Sequence, residues 1–514
     1  MAKIFIAQLN YNSEDVRGNL EKILAGYEEA SGSGADIMLL SRYAISGYLG
    51  KAPPFLREFT ELCYGHLQSL ASHTLNRRTC IVVGSIEKKD NQLHEAVFLL
   101  SGGAIQTLMC VPRHMCDTTG SCVAFSTNGL KCVLLFGDGP SVQENARASM
   151  LSSADLIILM GQSTRGWPDA LPYCTELSKK FGVQVAYINL LGGYENQVFP
   201  GGSLICSGTK AHLCTLWSEE TKVFSPDTIP HSITAPPASE EQDYQNLMLA
   251  LRDYTHKNRF TGAILGMSGG IDSALVATIA ADALGPEHTH TFMLPMRYTV
   301  DSSVEDAAKC AANLGINHAV VPVEDVFCAS LESLHTLFKN SHPDITEENI
   351  QSRIRGMFLM AVSNRTGLLL LATGNKSELL TGYMTLYGDT CGGFAPIKSV
   401  YKTRVYELVK WRNSNVPQGS LCKKVGVVPE EIIHKPPSAE LKPGQKDQDI
   451  LPEYPVLDRA LYALVDMEQT REEATRSGLS RDVVELVATL VQGSSFKLQQ
   501  VPCGPIIGSS TPPA

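Results

Sequence analysis

Residues 262–284 join a strand-like apolar run to a helix-like run through a glycine-rich turn, GMSGGIDS, and this junction restricts the possible folds more than any other feature. The pattern predicts a strand over 262–267, a tight turn over 268–270 and a helix over 272–284. Three elements follow in the same alternation: a strand over 289–294, a helix over 302–314 and a strand over 319–323. This order predicts a parallel, doubly wound sheet that binds its ligand at the carboxyl ends of the strands.

The turn has the composition of a phosphate-binding loop. Its glycines let successive backbone amides point at one spot, its serines add hydroxyl donors, and the next helix contributes its positive end. The residues predicted to form this site are Gly266, Met267, Ser268, Gly269, Gly270, Ile271, Asp272 and Ser273, with the Asp272 carboxylate beside the phosphate and not in contact with it. The Asp272 carboxylate suits a magnesium ion that bridges phosphate oxygens. The Gly-Lys-Ser/Thr ending of a Walker loop is absent, so kinase-like transfer is not expected, and a plain Ser-Gly-Gly turn is the alternative.

The composition of the whole chain favours a small-molecule enzyme with two domains. The chain has 514 residues, 44% of them apolar, and a formal charge of -10 without a basic stripe, which argues against a nucleic-acid partner. Its 14 cysteines show no CxxC spacing, which favours reduced structural thiols over a zinc site. We find no signal peptide and no apolar run long enough for a bilayer, so we expect a cytoplasmic protein without membrane contact.

The predicted boundaries are an α/β domain over 1–217, a polar and proline-bearing linker over 218–242, and a second domain over 243–514. In the first domain, KCVLLFGDGP (131–140) reads as a buried strand that ends in a sharp turn. Such a strand end often presents a reactive side chain, and here the tip is Phe136.

Four segments of the second domain carry a family resemblance. SGGIDS (268–273) resembles the pyrophosphate-binding loop of the ATP pyrophosphatase, or adenine nucleotide alpha hydrolase-like, superfamily, whose members adenylate an oxygen of their substrate. ITEENIQSRIRG (345–356), LLLLATGNKSELLTGYMTLYGDTCGGFAPI (368–397) and PPSAELKPGQKDQD (436–449) resemble NAD synthetase. The resemblance implies a ligase that converts deamido-NAD to NAD with ATP, Mg²⁺ and ammonia, and releases AMP and pyrophosphate.

The resemblance also implies roles for single residues. Thr373, at the end of a predicted strand over 368–373, and Lys402 would bind ATP, and Glu378 would hold magnesium with Asp272 and contact the dinucleotide. Asn349 and Arg353, on one helical face if Thr346 caps that helix, would bind deamido-NAD together with Glu378 and Lys497. Without the resemblance, these side chains would read as ordinary surface charges. The segments 295–303 and 436–449 could act as lids that keep water from the adenylate.

The first domain resembles the nitrilase-like glutaminase domain that precedes the synthetase in glutamine-dependent NAD synthetases, which implies an α-β-β-α sandwich. That domain uses a glutamate, a lysine and a cysteine nucleophile. Here the glutamate position, aligned on Ser46-Gly47-Tyr48, holds Arg42, and the cysteine position, aligned on Asp138, holds Phe136. The segment 110–114, where the lysine should fall, contains only Arg113. These changes predict a degenerate, inactive glutaminase site.

Three alternatives stay open at this point. A nucleophile could have moved to Cys116, Cys122 or Cys132, although the base and the oxyanion group would then have to move too. A separate glutaminase could dock on the degenerate domain and supply ammonia. The whole chain could instead be a non-catalytic regulatory pseudoenzyme, although the intact SGGIDS loop argues against this. By analogy with nitrilase-like domains we expect a homo-oligomer.

Overall fold

The computed structural model describes residues 2–89, 92–113, 121–137, 148–225, 228–230, 235–338 and 342–507. The chain forms two compact units, Met1–Pro237 and Ala238–Ala514. The predicted linker over 218–242 differs from this arrangement, because it contains the strand Glu220–Phe224 and the start of the helix Ser239–Lys257. The strand was not recognised because its sequence, ETKVF, is short and mostly polar, and it is defined by pairing with a strand more than 200 residues earlier in the chain.

The first unit contains two six-stranded sheets. The first sheet has the order β14-β1-β2-β3-β4-β5 and the second has the order β13-β12-β9-β8-β7-β6, while β10 and β11 form a separate pair. The strands are β1 (Ile4–Gln8), β2 (Ile37–Leu39), β3 (Cys80–Lys89), β4 (Gln92–Ser101), β5 (Ala104–Pro112), β6 (Ser121–Thr127), β7 (Leu130–Phe136), β8 (Leu156–Met160), β9 (Gln184–Ile188), β10 (Leu191–Tyr194), β11 (Gln197–Pro200), β12 (Leu204–Ser207), β13 (Lys210–Leu213) and β14 (Glu220–Phe224).

The side chains of β1 show why these sheets stack. Ile4 and Ile6 belong to one apolar cluster with Leu134 and Ile158 of the second sheet. Phe5 and its neighbours on the opposite face pack instead with the helices on the outside of the first sheet. The helices of this unit are α1 (Val16–Gly32), α2 (Leu56–His73), α3 (Ala148–Ser152) and α4 (Trp167–Phe181). Because α1 and α2 cover the first sheet and α4 contacts the second, the α-β-β-α sandwich is confirmed.

The second unit is built on a four-stranded sheet of order β17-β16-β15-β18, and all its strand pairs are parallel. The strands are β15 (Ala263–Gly266), β16 (Thr289–Met293), β17 (Asn317–Val320) and β18 (Leu369–Leu370). The chain first extends the sheet from β15 to β17 and then returns to the other side of β15. This reversal places the topological switch point beside β15, and it confirms the doubly wound parallel sheet.

Helices surround this sheet. They are α5 (Ser239–Lys257), α6 (Ile271–Leu284), α7 (Asp301–Leu314), α8 (Glu324–Leu334), α9 (Ile345–Thr366), α10 (Lys376–Thr381), α11 (Lys402–Ser414), α12 (Glu430–His434), α13 (Tyr454–Leu461), α14 (Arg471–Arg476) and α15 (Arg481–Leu498), with 3₁₀ helices at Pro286–His288 and Asp447–Asp449 and a π-helix at Tyr462–Asp466. Within the described part of the chain, none of the helices combines the length and the apolar character that a membrane crossing requires.

Candidate active site

The backbone of the loop that joins β15 to α6 lies close to the backbone of Ser303 in α7. Gly269 has φ +77°, and a Cβ at this position would lie 2.3 Å from the carbonyl oxygen of Ser303. The hydroxyls of Ser268 and Ser273 lie 3.2 Å apart, and the Ser273 hydroxyl accepts a hydrogen bond from the Ser268 amide at 3.2 Å. No side chain caps the start of α6 at Gly270, so the first amides of this helix can receive a ligand oxygen.

Three charged side chains from α6, α10 and α11 meet next to this loop. The Lys402 Nζ lies 2.5 Å from Asp272 Oδ2 and 3.3 Å from Glu378 Oε1. The Asn375 side chain donates to Asp272 Oδ1 at 2.9 Å. The structure therefore brings together Asp272, Glu378 and Lys402, which the sequence selected separately.

The position of Glu378 is fixed by a capping box at the start of α10. The Glu378 amide donates to Asn375 Oδ1 at 3.0 Å, and Glu378 Oε2 accepts from the Asn375 amide at 3.2 Å. One carboxylate oxygen is thus committed to the cap while Oε1 faces Lys402. Sequence reasoning missed Asn375, although the Asn-x-x-Glu spacing of a capping box was available as a signal.

The three charges perturb one another. Desolvation, followed by the charge of Asp272, raises the pKa of Glu378 to about 8, although Lys402 acts in the opposite direction. Burial alone would lower the pKa of Lys402, but Asp272 and Glu378 outweigh it and raise the pKa. Such a group of buried, mutually dependent charges is typical of a functional site.

This raised pKa predicts how the stability of the second unit depends on pH. Without added magnesium, folded Glu378 keeps its proton up to about pH 8, whereas unfolded Glu378 loses it near its ordinary pKa of 4.5. The native state therefore binds more protons between these values, and the free energy of unfolding should fall as pH rises, by up to about 1.4 kcal/mol per pH unit. In urea unfolding, the free energy of unfolding should fall with pH more steeply for wild type than for Glu378→Gln, by this slope. Parallel pH profiles for the two proteins would contradict the prediction.

A buried aspartate outside the predicted set holds two of these helices together. Asp458, on α13, accepts hydrogen bonds from the Ser377 hydroxyl at 2.5 Å and from the Thr403 amide and hydroxyl at 2.9 Å. The Ser377 hydroxyl in turn accepts from the Lys402 amide at 2.9 Å. Asp458 thus fixes the start of α11 against α10. Sequence reasoning missed it because its partners are far away in the chain.

The predicted strand over 368–373 is shorter in the structure. Only Leu369–Leu370 pairs with β15, and Leu371 then forms a bridge with Phe394. Thr373 lies half-buried beyond this bridge, two residues before the cap residue Asn375. Its contact with ATP stays a prediction.

Asn349, Arg353 and Lys497 converge on a second place, the segment 382–386 that follows α10. Asn349 Oδ1 accepts from the Thr385 hydroxyl at 2.9 Å, and Arg353 Nε donates to the Leu386 carbonyl at 3.2 Å. Lys497 Nζ donates to the carbonyls of Gly382 and Met384 at 2.8 and 2.9 Å. Glu378 lies with the first group, so the four residues predicted to bind deamido-NAD divide between two neighbouring clusters.

The cap of α9 corrects one prediction. Helix α9 begins at Ile345, and its cap is Asp344, whose carboxylate accepts from the Thr346 amide at 2.7 Å. Thr346 therefore lies inside the first turn. The aspartate is the better cap because its partner in the capping box, Glu347, is three residues away. The shared face of Asn349 and Arg353 is unaffected by this change.

The two segments suggested as lids contact each other. The Glu440 carboxylate accepts from the Val300 amide at 3.3 Å and from the Ser303 hydroxyl at 2.5 Å. Gln351 of α9 donates to the Leu441 carbonyl at 3.0 Å. Residues 436–449 are therefore tied to the starts of two helices that border the site.

Known proteins resemble this chain in both units. Residues 243–501, more than half of the 514 residues, match the family model described as NAD synthase. The chain belongs to the NAD synthase family. Residues 3–115 match the family model described as carbon-nitrogen hydrolase.

Relatives of this NAD synthase family member cover almost its whole length. It is 35% identical over 530 residues to the glutamine-dependent NAD(+) synthetase of Rhodobacter capsulatus, a match that covers 98% of this chain and 95% of the relative. The corresponding protein of Thermotoga maritima is 34% identical over 563 residues, with 98% and 95% covered. The solved glutamine-dependent NAD+ synthetase of Acinetobacter baumannii, in complex with ADP, has a TM-score of 0.73 and 30% identity, and the match covers 100% of this chain and 98% of that one.

The residues around the SGGIDS loop of the synthetase fit a magnesium ion. Asp272 and Glu378 offer hard carboxylate oxygens, which this ion prefers. Both carboxylates now share the positive charge of Lys402, and burial together with repulsion from Asp272 raises the pKa of Glu378 to about 8. An added cation would relieve that repulsion.

In the first unit of the synthetase, the two residues at the glutaminase positions contact each other. The Arg42 guanidinium lies 4.2 Å from the centroid of the Phe136 ring. Arg42 also forms an ion pair of 2.6 Å with Glu95 of β4, and the hydroxyl of Tyr43 donates to the other oxygen of Glu95. Arg42 is 1% exposed and Phe136 is 2% exposed, so the cluster is closed to solvent.

The cysteines of this unit were the candidates for a displaced nucleophile. Cys132 is buried, and desolvation raises the pKa of its thiol to about 12, which leaves almost no thiolate at neutral pH. Cys122 lies on β6 opposite Leu135, next to the pair formed by Ser121 and Phe136. Cys116 and the aligning residue Asp138 lie outside the described residues. Arg113 donates to the Leu49 carbonyl and lies 5.8 Å from the Tyr48 ring.

Proposed function

We propose that this synthetase converts deamido-NAD to NAD with ATP and free ammonia, and that its own glutaminase site is lost. The main support for ammonia as the nitrogen donor is the buried cluster of Arg42, Phe136 and Glu95. The relatives named above are glutamine-dependent, and glutamine would otherwise be the default donor for this chain as well. Amide hydrolysis of the nitrilase type requires a thiol nucleophile with a nearby base, and a phenyl ring cannot replace the thiol.

The charge arrangement supports the same proposal. A catalytic glutamate must accept a proton, whereas Arg42 is a permanent cation that neutralises Glu95. The pair is 0% and 3% exposed at its side chains, so a substrate amide could enter only by displacing a buried ion pair. That displacement would be costly, since an unpaired buried charge costs several kcal/mol.

In the first step of the proposed reaction, the nicotinate carboxylate of deamido-NAD attacks the α-phosphate of ATP, and pyrophosphate leaves. The loop amides after Ser268 and the start of α6 are suited to hold the phosphates, and Lys402 is suited to neutralise the charge that develops on them. Magnesium, when bound by Asp272 and Glu378, would supply electrostatic stabilisation of the same phosphate oxygens. Thr373 is proposed to contact ATP.

In the second step, ammonia attacks the carbonyl carbon of the acyl-adenylate, the bond from that carbon to the phosphate oxygen breaks, AMP leaves with its electrons, and the nitrogen loses one proton to solvent. Asn349, Arg353 and Lys497 are proposed to bind deamido-NAD through the neighbouring segment 382–386. Segments 295–303 and 436–449 are suited to exclude water, which would hydrolyse the adenylate. A homo-oligomer stays a prediction from the resemblance to nitrilase-like domains, and a cytoplasmic location stays a prediction from the signal-peptide and apolar-run patterns of the sequence.

Two other functions remain candidates. A separate glutaminase that docks on the first unit would make turnover depend on glutamine only in a complex that co-purifies with an amidase. A regulatory pseudoenzyme would tolerate Asp272→Ala without loss of its biological role. The close contact of Asp272, Lys402 and Glu378 favours an active synthetase over the second of these.

The deciding experiment is steady-state NAD formation by the purified chain with ATP, magnesium and deamido-NAD, supplied with either ammonium or glutamine. We expect activity with ammonium and none with glutamine. Equal activity with glutamine, in a preparation free of contaminating amidase, would overturn the proposed loss of the glutaminase site. Absence of NAD with either donor would overturn the ammonia-dependent synthetase.

A further inference from the structure

The segment 393–400 connects the sheet of the second unit to helix α11, which begins at Lys402. Near its end, the Val400 carbonyl accepts a hydrogen bond at 2.8 Å from the amide of Lys376, the first residue of α10. The segment therefore leads directly into the helix of Lys402 and also contacts the start of the helix that carries Glu378. A shift of this segment would move both charged side chains.

A second segment, 502–507, follows helix α15 and lies along this connection. Hydrogen bonds from backbone and side-chain groups join the two segments. These bonds run from Ala395 N to Cys503 O (2.8 Å), from Lys398 Nζ to Pro502 O (3.0 Å), from Ser399 Oγ to Pro505 O (2.6 Å) and from Ile507 N to Ser399 Oγ (3.2 Å). Because the bonds reach from residue 395 to residue 399, they fix the segment 393–400 along most of its length.

The backbones of the two segments come very close at Gly504, which is buried. A Cβ at this position would lie 2.0 Å from the Ala395 carbonyl oxygen and 2.9 Å from the Lys398 Cδ. The carbonyl belongs to a buried backbone, so it cannot move aside as the end of a flexible side chain can. A side chain at position 504 must therefore push the segment 393–400 away.

Helix α15, which precedes the segment 502–507, contacts α10 directly. The Ser494 hydroxyl donates to the Leu380 carbonyl at 2.6 Å. The continuous stretch 494–507 thus meets the helix of Glu378 at its beginning and the connection to Lys402 at its end. This stretch can hold the two helices in a fixed relation to each other.

We infer that Gly504 and Ser399 are positioning residues for adenylation, because they hold the segment 393–400 where it places Lys402 beside Asp272. This inference rests on the proposed role of Lys402 in adenylation. Misplacing a group in such a site by about 1 Å can lower the rate by up to about a hundredfold. Gly504 and Ser399 act through the backbone that leads to the lysine, and not by contact with a substrate.

The test compares Gly504→Ala with wild type in the deamido-NAD-dependent exchange of pyrophosphate into ATP, which reports adenylation. The kcat for exchange should fall about tenfold, while the KM for ATP changes less than about twofold, because the loop amides proposed to hold the phosphates lie elsewhere. Gly493→Ala is the matched control. Gly493 is exposed on α15, and a Cβ there would meet no atom of the described residues within 4 Å outside its own helix. The control should keep wild-type kcat.

A double-mutant cycle separates positioning from a general loss of structure. In Lys402→Met the charge is already absent, so adding Gly504→Ala to this variant should lower the kcat for exchange by less than about twofold. If Gly504 only supported the fold, the two effects would be independent. The loss caused by Gly504→Ala would then be the same in both backgrounds.

Equal kcat for Gly504→Ala and Gly493→Ala would overturn the inference, and so would a tenfold loss that persists in the Lys402→Met background. A raised KM for ATP at unchanged kcat would overturn it as well. If Gly504→Ala does not fold, Ser399→Ala decides by the same criteria, with an expected loss of about threefold from its missing hydrogen bonds. A wild-type protein without pyrophosphate exchange, or a Lys402→Met protein with wild-type exchange, would instead overturn the proposed function, and the inference with it.

Discussion

Lys402→Met is expected to lower kcat for NAD formation at least about a hundredfold, the usual scale for removing an electrostatic group at a developing charge. Lys402 is 3% exposed and is the cation between Asp272 and Glu378. Its loss would remove the positive charge proposed to meet the phosphates. Pyrophosphate exchange should fall together with overall turnover, because the effect lies on adenylation.

Lys410→Met is the matched control for this variant. Lys410 lies on the same helix, α11, but is exposed. The control should keep wild-type kcat, and its circular dichroism should match that of Lys402→Met. A Lys402→Met protein with near wild-type exchange would contradict the proposed role of this lysine.

Arg42→Ala is expected to destabilise the first unit by about 3–5 kcal/mol, as observed when one partner of a buried ion pair is removed. Of the hydrogen bonds that the described residues make to Glu95, the one from the Tyr43 hydroxyl would remain, and the Phe136 ring would lose the guanidinium that lies 4.2 Å away. Ammonium-dependent NAD formation should persist where both units remain folded. The expected loss is therefore one of stability.

Urea unfolding followed by the tryptophan signal can report on the first unit alone when Trp411→Phe is the background. Of the three tryptophans, Trp167 and Trp217 then remain, and both are buried in the first unit. Arg57→Ala serves as the control, because Arg57 and Glu61 form an exposed pair with side chains 80% and 63% exposed. That control should cost less than about 1 kcal/mol. Equal midpoints for Arg42→Ala and Arg57→Ala would contradict a structural role for the buried pair.

Local patterns were enough to predict the parts of the molecule that depend on neighbouring residues. The strand, glycine turn and helix around Gly269 follow from spacing and from the positive φ that glycine permits, and both the sheet and the loop were found on that basis. The family resemblance then selected Glu378 and Lys402, which no periodicity distinguishes from surface charges. Their meeting at Asp272 depends on chain separations of 103 to 130 residues for the hydrogen bonds involved, which a local pattern does not encode.

Most of the residues that were missed have partners that lie far away in the chain, and Asn375 is the exception, because its capping-box partner Glu378 is three residues away. Glu95 looks like any polar residue of a strand until Arg42 is placed against it, 53 residues earlier. The strand Glu220–Phe224 was absorbed into a predicted linker for the same reason, since its edge position is defined by β1.

The hydrogen bonds of Asp458 have a consequence for the order in which the second unit matures during synthesis. The loop, α10 and α11 are all translated before residue 458, yet the bonds that hold Ser377 and Thr403 in register come from this later aspartate. Translation adds about 5–20 residues per second. The earlier elements are therefore present for several seconds on the ribosome without the hydrogen bonds of Asp458. A nascent chain released before α13 would therefore carry every residue of the nucleotide loop and still lack a fixed geometry between Glu378 and Lys402.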